Sequence, residues 1–167
     1  MIEIERKFLI KGDFLPFVTK RERIVQAYLC SSKERTARVR IKEEKAYITI
    51  KGPSNENEFS RAEFEYEIPV EDATEMLKIC KPGFIEKVRH YVPYGSHTYE
   101  VDVFHGANEG LVFAELELES ETEDLLKPDW LGEEVTGDIR YYNSYIAQHP
   151  FKILNATVQS HKDTKIY

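Results

Sequence analysis

Charged side chains recur at every second position along several stretches of this chain, and they sort by sign. Glu3, Glu5 and Lys7 alternate with apolar Ile2, Ile4 and Phe8. Arg38 pairs with Arg40 and Lys87 with Arg89, while Lys51 closes the run Ile48, Thr49, Ile50. Acidic rows stand apart: Glu63, Glu65 and Glu67; Glu100 and Asp102; Glu115, Glu117 and Glu119. In an extended strand, side chains at i and i+2 share a face, so each set lines one surface. Arginine forks grip phosphate oxygens bidentately and lysine supplies a compact charge. Rows of carboxylates offer hard oxygen ligands to Mg²⁺ or Mn²⁺. Together they suit a triphosphate, with one ion bridging phosphates and a second acidifying an attacking water.

An antiparallel sheet with one solvated face would also alternate. Such a face usually intersperses signs, because like charges side by side repel. Blocks of one sign suggest that ions and a ligand complete the balance, inside a barrel whose apolar faces turn outward under helices and loops.

The elements that must position these residues are mostly strands. Period-2 alternation marks 2–10, 24–30, 36–42, 46–51, 62–68, 84–92, 97–104 and 111–119. Turn-rich segments separate them, including 43–45, 53–60, 93–96 and 106–110. Two stretches switch to helical spacing: 71–80, which stops at Pro82-Gly83, and 138–149, capped by Asp138 and ending before Pro150. A short helical turn is expected near 121–126. About eight short strands joined by hairpins predict a mainly β (α+β) fold, an antiparallel sheet closed into a barrel, because a long open sheet would leave edges for aggregation.

Composition agrees. The 167 residues, 41% hydrophobic and 32% charged, make one domain over 1–167, with no clear signal from 151 onward. No apolar run reaches the roughly 18 residues of a spanning helix, and the acidic N-terminus lacks a secretory h-region. A cytoplasmic protein with no membrane partner is expected. The net charge of −7 argues against a nucleic-acid partner. Cys30 and Cys80 read as reduced thiols, and His90, His97, His105, His149 and His161 show no ligand spacing.

Glu3-Ile4-Glu5-Arg6-Lys7 matches the Glu-x-Glu-x-Lys signature of the CYTH superfamily, the triphosphate tunnel metalloenzymes. The chain also resembles that family, in order, at Arg38-x-Arg40, Lys51, Glu65-x-Glu67, Lys87-x-Arg89, Asp102 and Glu115-x-Glu117-x-Glu119. It is most similar to small bacterial members, down to Trp130-Leu131-Gly132 and Arg140-Tyr141-Tyr142-Asn143. The resemblance implies an eight-stranded tunnel that hydrolyses a triphosphate, inorganic tripolyphosphate above all, with Mg²⁺ or Mn²⁺ and two ions. It implies metal binding by Glu3, Glu5, Glu115 and Glu117, with Asp102, Glu65 and Glu67 at a second metal or its water. It implies phosphate binding by Lys7, Arg38, Arg40, Lys51, Lys87 and Arg89. Lys7, Glu65, Glu67 and Asp102 are the candidates for catalysis.

Some residues stay open at this point. Glu63, Glu100 and Glu119 share the charged parity but suit a tunnel mouth or solvent equally well. Gln26 and Tyr28 suit the lumen or packing, Tyr141 and Tyr142 read as packing, and Arg140 as an exposed helix residue. An adenylate cyclase, a nucleoside or thiamine triphosphatase, or a polyphosphate-binding module without turnover are the alternatives. A homodimer is compatible with all of them.

Overall fold

The computed structural model describes residues 2–56 and 60–151. The tail expected from 151 onward, with His161, therefore falls outside the described residues beyond Phe151. Nine strands form the framework: β1 (Ile2–Ile10), β2 (Lys20–Ser31), β3 (Thr36–Lys42), β4 (Lys45–Lys51), β5 (Ser60–Ile68), β6 (Ile85–Tyr94), β7 (His97–His105), β8 (Val112–Glu117) and β9 (Leu131–Glu134). Helix α1 spans Val70–Ile79 and α2 spans Asn143–Gln148.

The sheet order is β5-β4-β3-β2-β6-β7-β8-β1-β9, and β1 pairs in addition with β5. That pairing closes the first eight strands into an antiparallel barrel, as expected, with β9 added. The closure is split along β1. Ile2, Ile4 and the Glu3 between them pair with β5, whereas Phe8 and Ile10 on the same strand pair with β9.

The turns fit their sequences. Gly95, with φ +63°, starts the two-residue β6–β7 turn, which needs a positive φ there. Gly83 has another reason to lack a side chain: a Cβ would lie 1.8 Å from the Ala147 carbonyl oxygen, so α2 packs directly on its backbone.

Inward-facing rows change character along the barrel. On β1 the row ends in Leu9 after Lys7, on β6 it begins at Ile85 before Lys87, on β7 Phe104 follows Asp102, and on β8 Phe113 precedes Glu115. These apolar ends meet at one end of the barrel, where Ile85, Phe104 and Phe113 pack with Tyr28 against Ile146 and Ala147 of α2. The plug thus closes the end where the charged lining stops. Outside, Phe8, Tyr99, Val101 and Leu116 pack beneath Trp130 and Leu118, and α1 lays Ala73 over Val39 and Ala46.

Three expectations change. Residues 121–126 form no helix: beyond a turn at Glu121–Thr122 the chain is irregular, and the Leu126 carbonyl accepts a 2.5 Å hydrogen bond from Tyr99 Oη. The helix expected over 138–149 is split into a 3₁₀ turn, Ile139–Tyr141, and α2, because Tyr142 between them is extended (φ −76°, ψ 131°). The outer apolar faces are only partly covered, since α1 reaches β2–β4 and leaves Ile50, Phe64 and Tyr66 exposed. Among the described residues no helix is long and apolar enough to cross a membrane.

Candidate active site

The lumen encloses a cavity of about 200 Å³ lined almost wholly by polar atoms. Antiparallel pairing puts directly opposed residues on the same face, so the strand register assembles the lining. Arg38 faces Thr49, Thr49 faces Glu65, and Lys51 faces Glu63. Arg61 faces Glu3 across the β1–β5 seam. Lys7 faces Glu115, Glu5 faces Glu117, and Glu100 faces Glu115.

The basic wall is formed by Arg38, Arg40 and Arg89, each less than a tenth exposed. Arg40 Nε donates to Gln26 Oε1 at 2.8 Å. Arg38 Nη2 donates to Thr49 Oγ1 at 3.1 Å and lies 3.7 Å from Glu65, but its buried Nε has no partner. Burial, followed by the charges of Arg38 and Arg89, pushes the Arg40 pKa down to about 10. Arg89 is offset by Asp102, Glu100 and Glu115, but at Arg40 the neighbouring cations are not balanced, and an anion there would relieve them.

The acidic wall shows the opposite imbalance. Carboxylate oxygens of Glu3, Glu5 and Glu117 lie within 4.8 Å of one another, the one such group of three among the described residues. Burial, then the charges of Glu115 and Glu3, holds Glu5 well above the ordinary carboxylate range. Glu117, exposed at the edge of the lumen, is also raised, by partial burial and then by Glu100. Glu3 is opposite: burial works to raise it, but Lys51 holds it at about 2. A cluster of hard oxygens with unrelieved repulsion fits a divalent cation.

Other expected residues are placed differently. Asp102 is fully buried and does not line the cavity. Its oxygens accept from Lys87 Nζ at 2.7 Å and from Arg89 Nε and Nη2 at 2.8 and 2.9 Å. It stands beside the lumen as the counter-charge of Lys87 and Arg89. Lys87, also buried and outside the lining, donates to Asp102 and to Asn143 Oδ1 at 3.0 Å. Burial, against the pull of Asp102, lowers the Lys87 pKa to about 7. Glu67 is exposed beyond the cavity, 3.9 Å from Lys45, because it stands near the end of β5. Glu119 is exposed past the end of β8.

Glu115 does face the lumen, 3.9 Å from Lys7 and 3.6 Å from Arg89. Glu65 lies nearer the opening and accepts from Thr49 Oγ1 at 2.8 Å. Glu63 and Glu100, left open by parity alone, both line the cavity, as does Tyr28; Gln26 is buried behind Arg40.

Sequence reasoning missed eight lining residues, of which four bear most on the chemistry. Arg61 shares the parity of Glu63 and Glu65 but stands beside a polar loop, and Thr49 shares the parity of Lys51. Tyr142 and Asn143 enter from the plug. Lys7 Nζ donates to the Tyr141 carbonyl at 2.7 Å and lies 5.2 Å from the Tyr142 ring, which turns that ring from packing to lining. The Tyr141 ring packs on Phe113 as expected. Arg140 is exposed and paired with Asp138.

The CYTH domain pattern matches residues 1–144, most of the chain. The chain belongs to the CYTH domain family. This CYTH chain is 46% identical over 151 residues to an inorganic triphosphatase of Acetivibrio thermocellus, covering 90% of this chain and 96% of the relative. It is 33% identical to an inorganic triphosphatase of Nitrosomonas europaea, covering 88% and 97%. Among solved structures, the inorganic triphosphatase NE1496 superposes with a TM-score of 0.60 at 29% identity, over 87% of this chain and 93% of the other.

Proposed function

We propose that this protein is a divalent-metal-dependent triphosphatase that cleaves inorganic tripolyphosphate to pyrophosphate and orthophosphate. One observation carries the reading: a single cavity has a basic wall in need of an anion and an acidic wall in need of a cation. A triphosphate with a divalent cation satisfies both at once. The inorganic triphosphatase names of the 46% and 33% identical relatives support the same reading.

Glu3, Glu5 and Glu117 would hold the cation. When bound, Mg²⁺ or Mn²⁺ would add positive charge at the phosphate oxygens and make water a better nucleophile. Arg38, Arg40, Arg89, Lys7 and Lys51 bind the phosphate oxygens and hold the chain in line. Water oxygen attacks the terminal phosphorus, the bridging P–O bond breaks, and pyrophosphate leaves with its new charge stabilised by these cations. Glu65, fixed by Thr49 beside Arg38, is the carboxylate placed to orient that water. The polar lining and the plugged end favour a bare phosphate chain over a nucleotide or thiamine ester. The two free thiols suit a reducing compartment, and we place the reaction in the cytoplasm.

The test is phosphate release from tripolyphosphate, pyrophosphate, ATP and thiamine triphosphate, each with Mg²⁺, Mn²⁺, Ca²⁺ or chelator. Tripolyphosphate with Mg²⁺ or Mn²⁺ should be turned over fastest, and chelator should stop it. Cyclic AMP formed from ATP, or tight tripolyphosphate binding with no phosphate release under any metal, would overturn the reading.

A further inference from the structure

Lys51 is engaged in this lumen with a carboxylate of the cation cluster. Its Nζ lies 2.8 Å from both oxygens of Glu3 and 3.5 Å from Glu63. Both side chains of the Lys51–Glu3 pair are less than a tenth exposed. A second cation stands on the same carboxylate: Arg61, opposite Glu3 in the β1–β5 pairing, brings its Nε to 3.5 Å of Glu3 Oε1. Glu3 is one of the three carboxylates that converge, and it bears on both Glu5 and Glu117 while its own charge is taken up by Lys51 and Arg61.

We propose that Lys51 and Arg61 are placeholders at Glu3, and that a divalent cation displaces both and frees them for the triphosphate. This rests on the assignment of Glu3, Glu5 and Glu117 to the cation. An ammonium that donates to both carboxylate oxygens and a divalent ion on those oxygens compete for the same lone pairs and repel each other. Displacement turns two cations that were neutralised by Glu3 into cations available to phosphate. The cation and the triphosphate then bind with positive coupling, reciprocal between the two ligands. Arg38, across the lumen and away from Glu3, takes no part in the exchange and is the internal control.

Two binding measurements separate this from a standing phosphate-binding role. Mn²⁺ alone is titrated at pH 8 by the loss of its free EPR signal. Lys51→Met should bind Mn²⁺ about tenfold more tightly than the wild type, while Arg38→Met stays within about threefold. Tripolyphosphate is titrated in chelator by calorimetry. Arg38→Met should weaken it at least about tenfold, while Lys51→Met, whose lysine was engaged elsewhere, changes it less than about threefold. With Mn²⁺ present, the KM for tripolyphosphate of Lys51→Met should rise about tenfold, because the lysine would now have been delivered.

Unchanged Mn²⁺ affinity in Lys51→Met, or metal-free tripolyphosphate binding weakened as much as in Arg38→Met, overturns the exchange. So does an unchanged KM. If Lys51→Met does not fold, Arg61→Met carries the same expectations at about fivefold, its arginine being more exposed. A wild type that binds no Mn²⁺ would instead overturn the assignment of the cation cluster itself.

Discussion

Replacing Asp102 by asparagine should cost stability far more directly than it costs chemistry. Asp102 is fully buried, and its two oxygens take hydrogen bonds from Lys87 and from two nitrogens of Arg89, all at 2.7–2.9 Å. Burial alone would raise its pKa, yet the Arg89 and Lys87 charges keep it lowered and ionised. Asparagine is close in shape but removes the charge, leaving Arg89 with only Glu100 and Glu115 and pushing Lys87, already lowered to about 7, to a buried neutral amine. Breaking a buried pair in this way costs about 3–5 kcal/mol. For a chain of this size each kcal/mol shifts Tm by about 2–4 °C, so a drop of about 6–20 °C is expected in a thermal melt followed by circular dichroism. Adding Lys87→Met should recover part of it, because the buried amine left without its carboxylate is then gone. The cycle should show a coupling of at least about 1 kcal/mol. An Asp102→Asn protein with unchanged Tm and a large loss of kcat would refute the reasoning, since it would put Asp102 on the reacting groups.

Three further outcomes follow from the placement of charge. Glu67→Ala should retain triphosphatase activity within about twofold, since an exposed pair with Lys45 is worth little; a tenfold loss would bring Glu67 into the site. Glu63→Gln should change the pH dependence of stability. Burial and the neighbouring Glu3 raise the Glu63 pKa from 4.5 to about 7, so the wild type loses stability from this group as pH rises through that interval. Glutamine does not ionise, so the Tm of the variant relative to wild type should grow between pH 5 and pH 7.5, and a constant difference would contradict the assignment. Arg38→Met should raise the Tm of the ligand-free protein by about 2–4 °C while lowering activity, because a crowded cation with an unpaired buried Nε is kept for function; a fall in Tm would show that Arg38 holds the fold.

Alternation and sign were enough to read the barrel and most of its lumen. Glu3, Glu5, Lys7, Arg38, Arg40, Arg89 and Glu115 lie on the inner face because parity within a strand does not depend on its partners. Depth does. Nothing within β7 says that Asp102 will be clamped by Lys87 and Arg89 while Glu100, two residues earlier, lines the cavity; the β6–β7 register decides it. Glu67 has the right parity but stands near the end of its strand, where the inner face opens to solvent. Strand β9, only Leu131–Glu134, is too short to alternate visibly. The plug combines a local cap, readable at Asp138, with a break at Tyr142 that accompanies the contact of Lys7, more than a hundred residues away, with the Tyr141 carbonyl.

The central claim is that this charged lumen hydrolyses triphosphate with the help of a cation on its acidic wall. Its most direct test is the stoichiometry of products from tripolyphosphate, measured for the wild type and for Glu5→Ala, with Mn²⁺ and with chelator. Glu5 is already disfavoured as a carboxylate by burial and by its acidic neighbours, so its removal should leave the melting temperature intact. The account predicts orthophosphate and pyrophosphate in equal amounts from the wild type with Mn²⁺. It predicts loss of at least about a hundredfold in chelator and in the folded variant. Hydrolysis that survives both would contradict it.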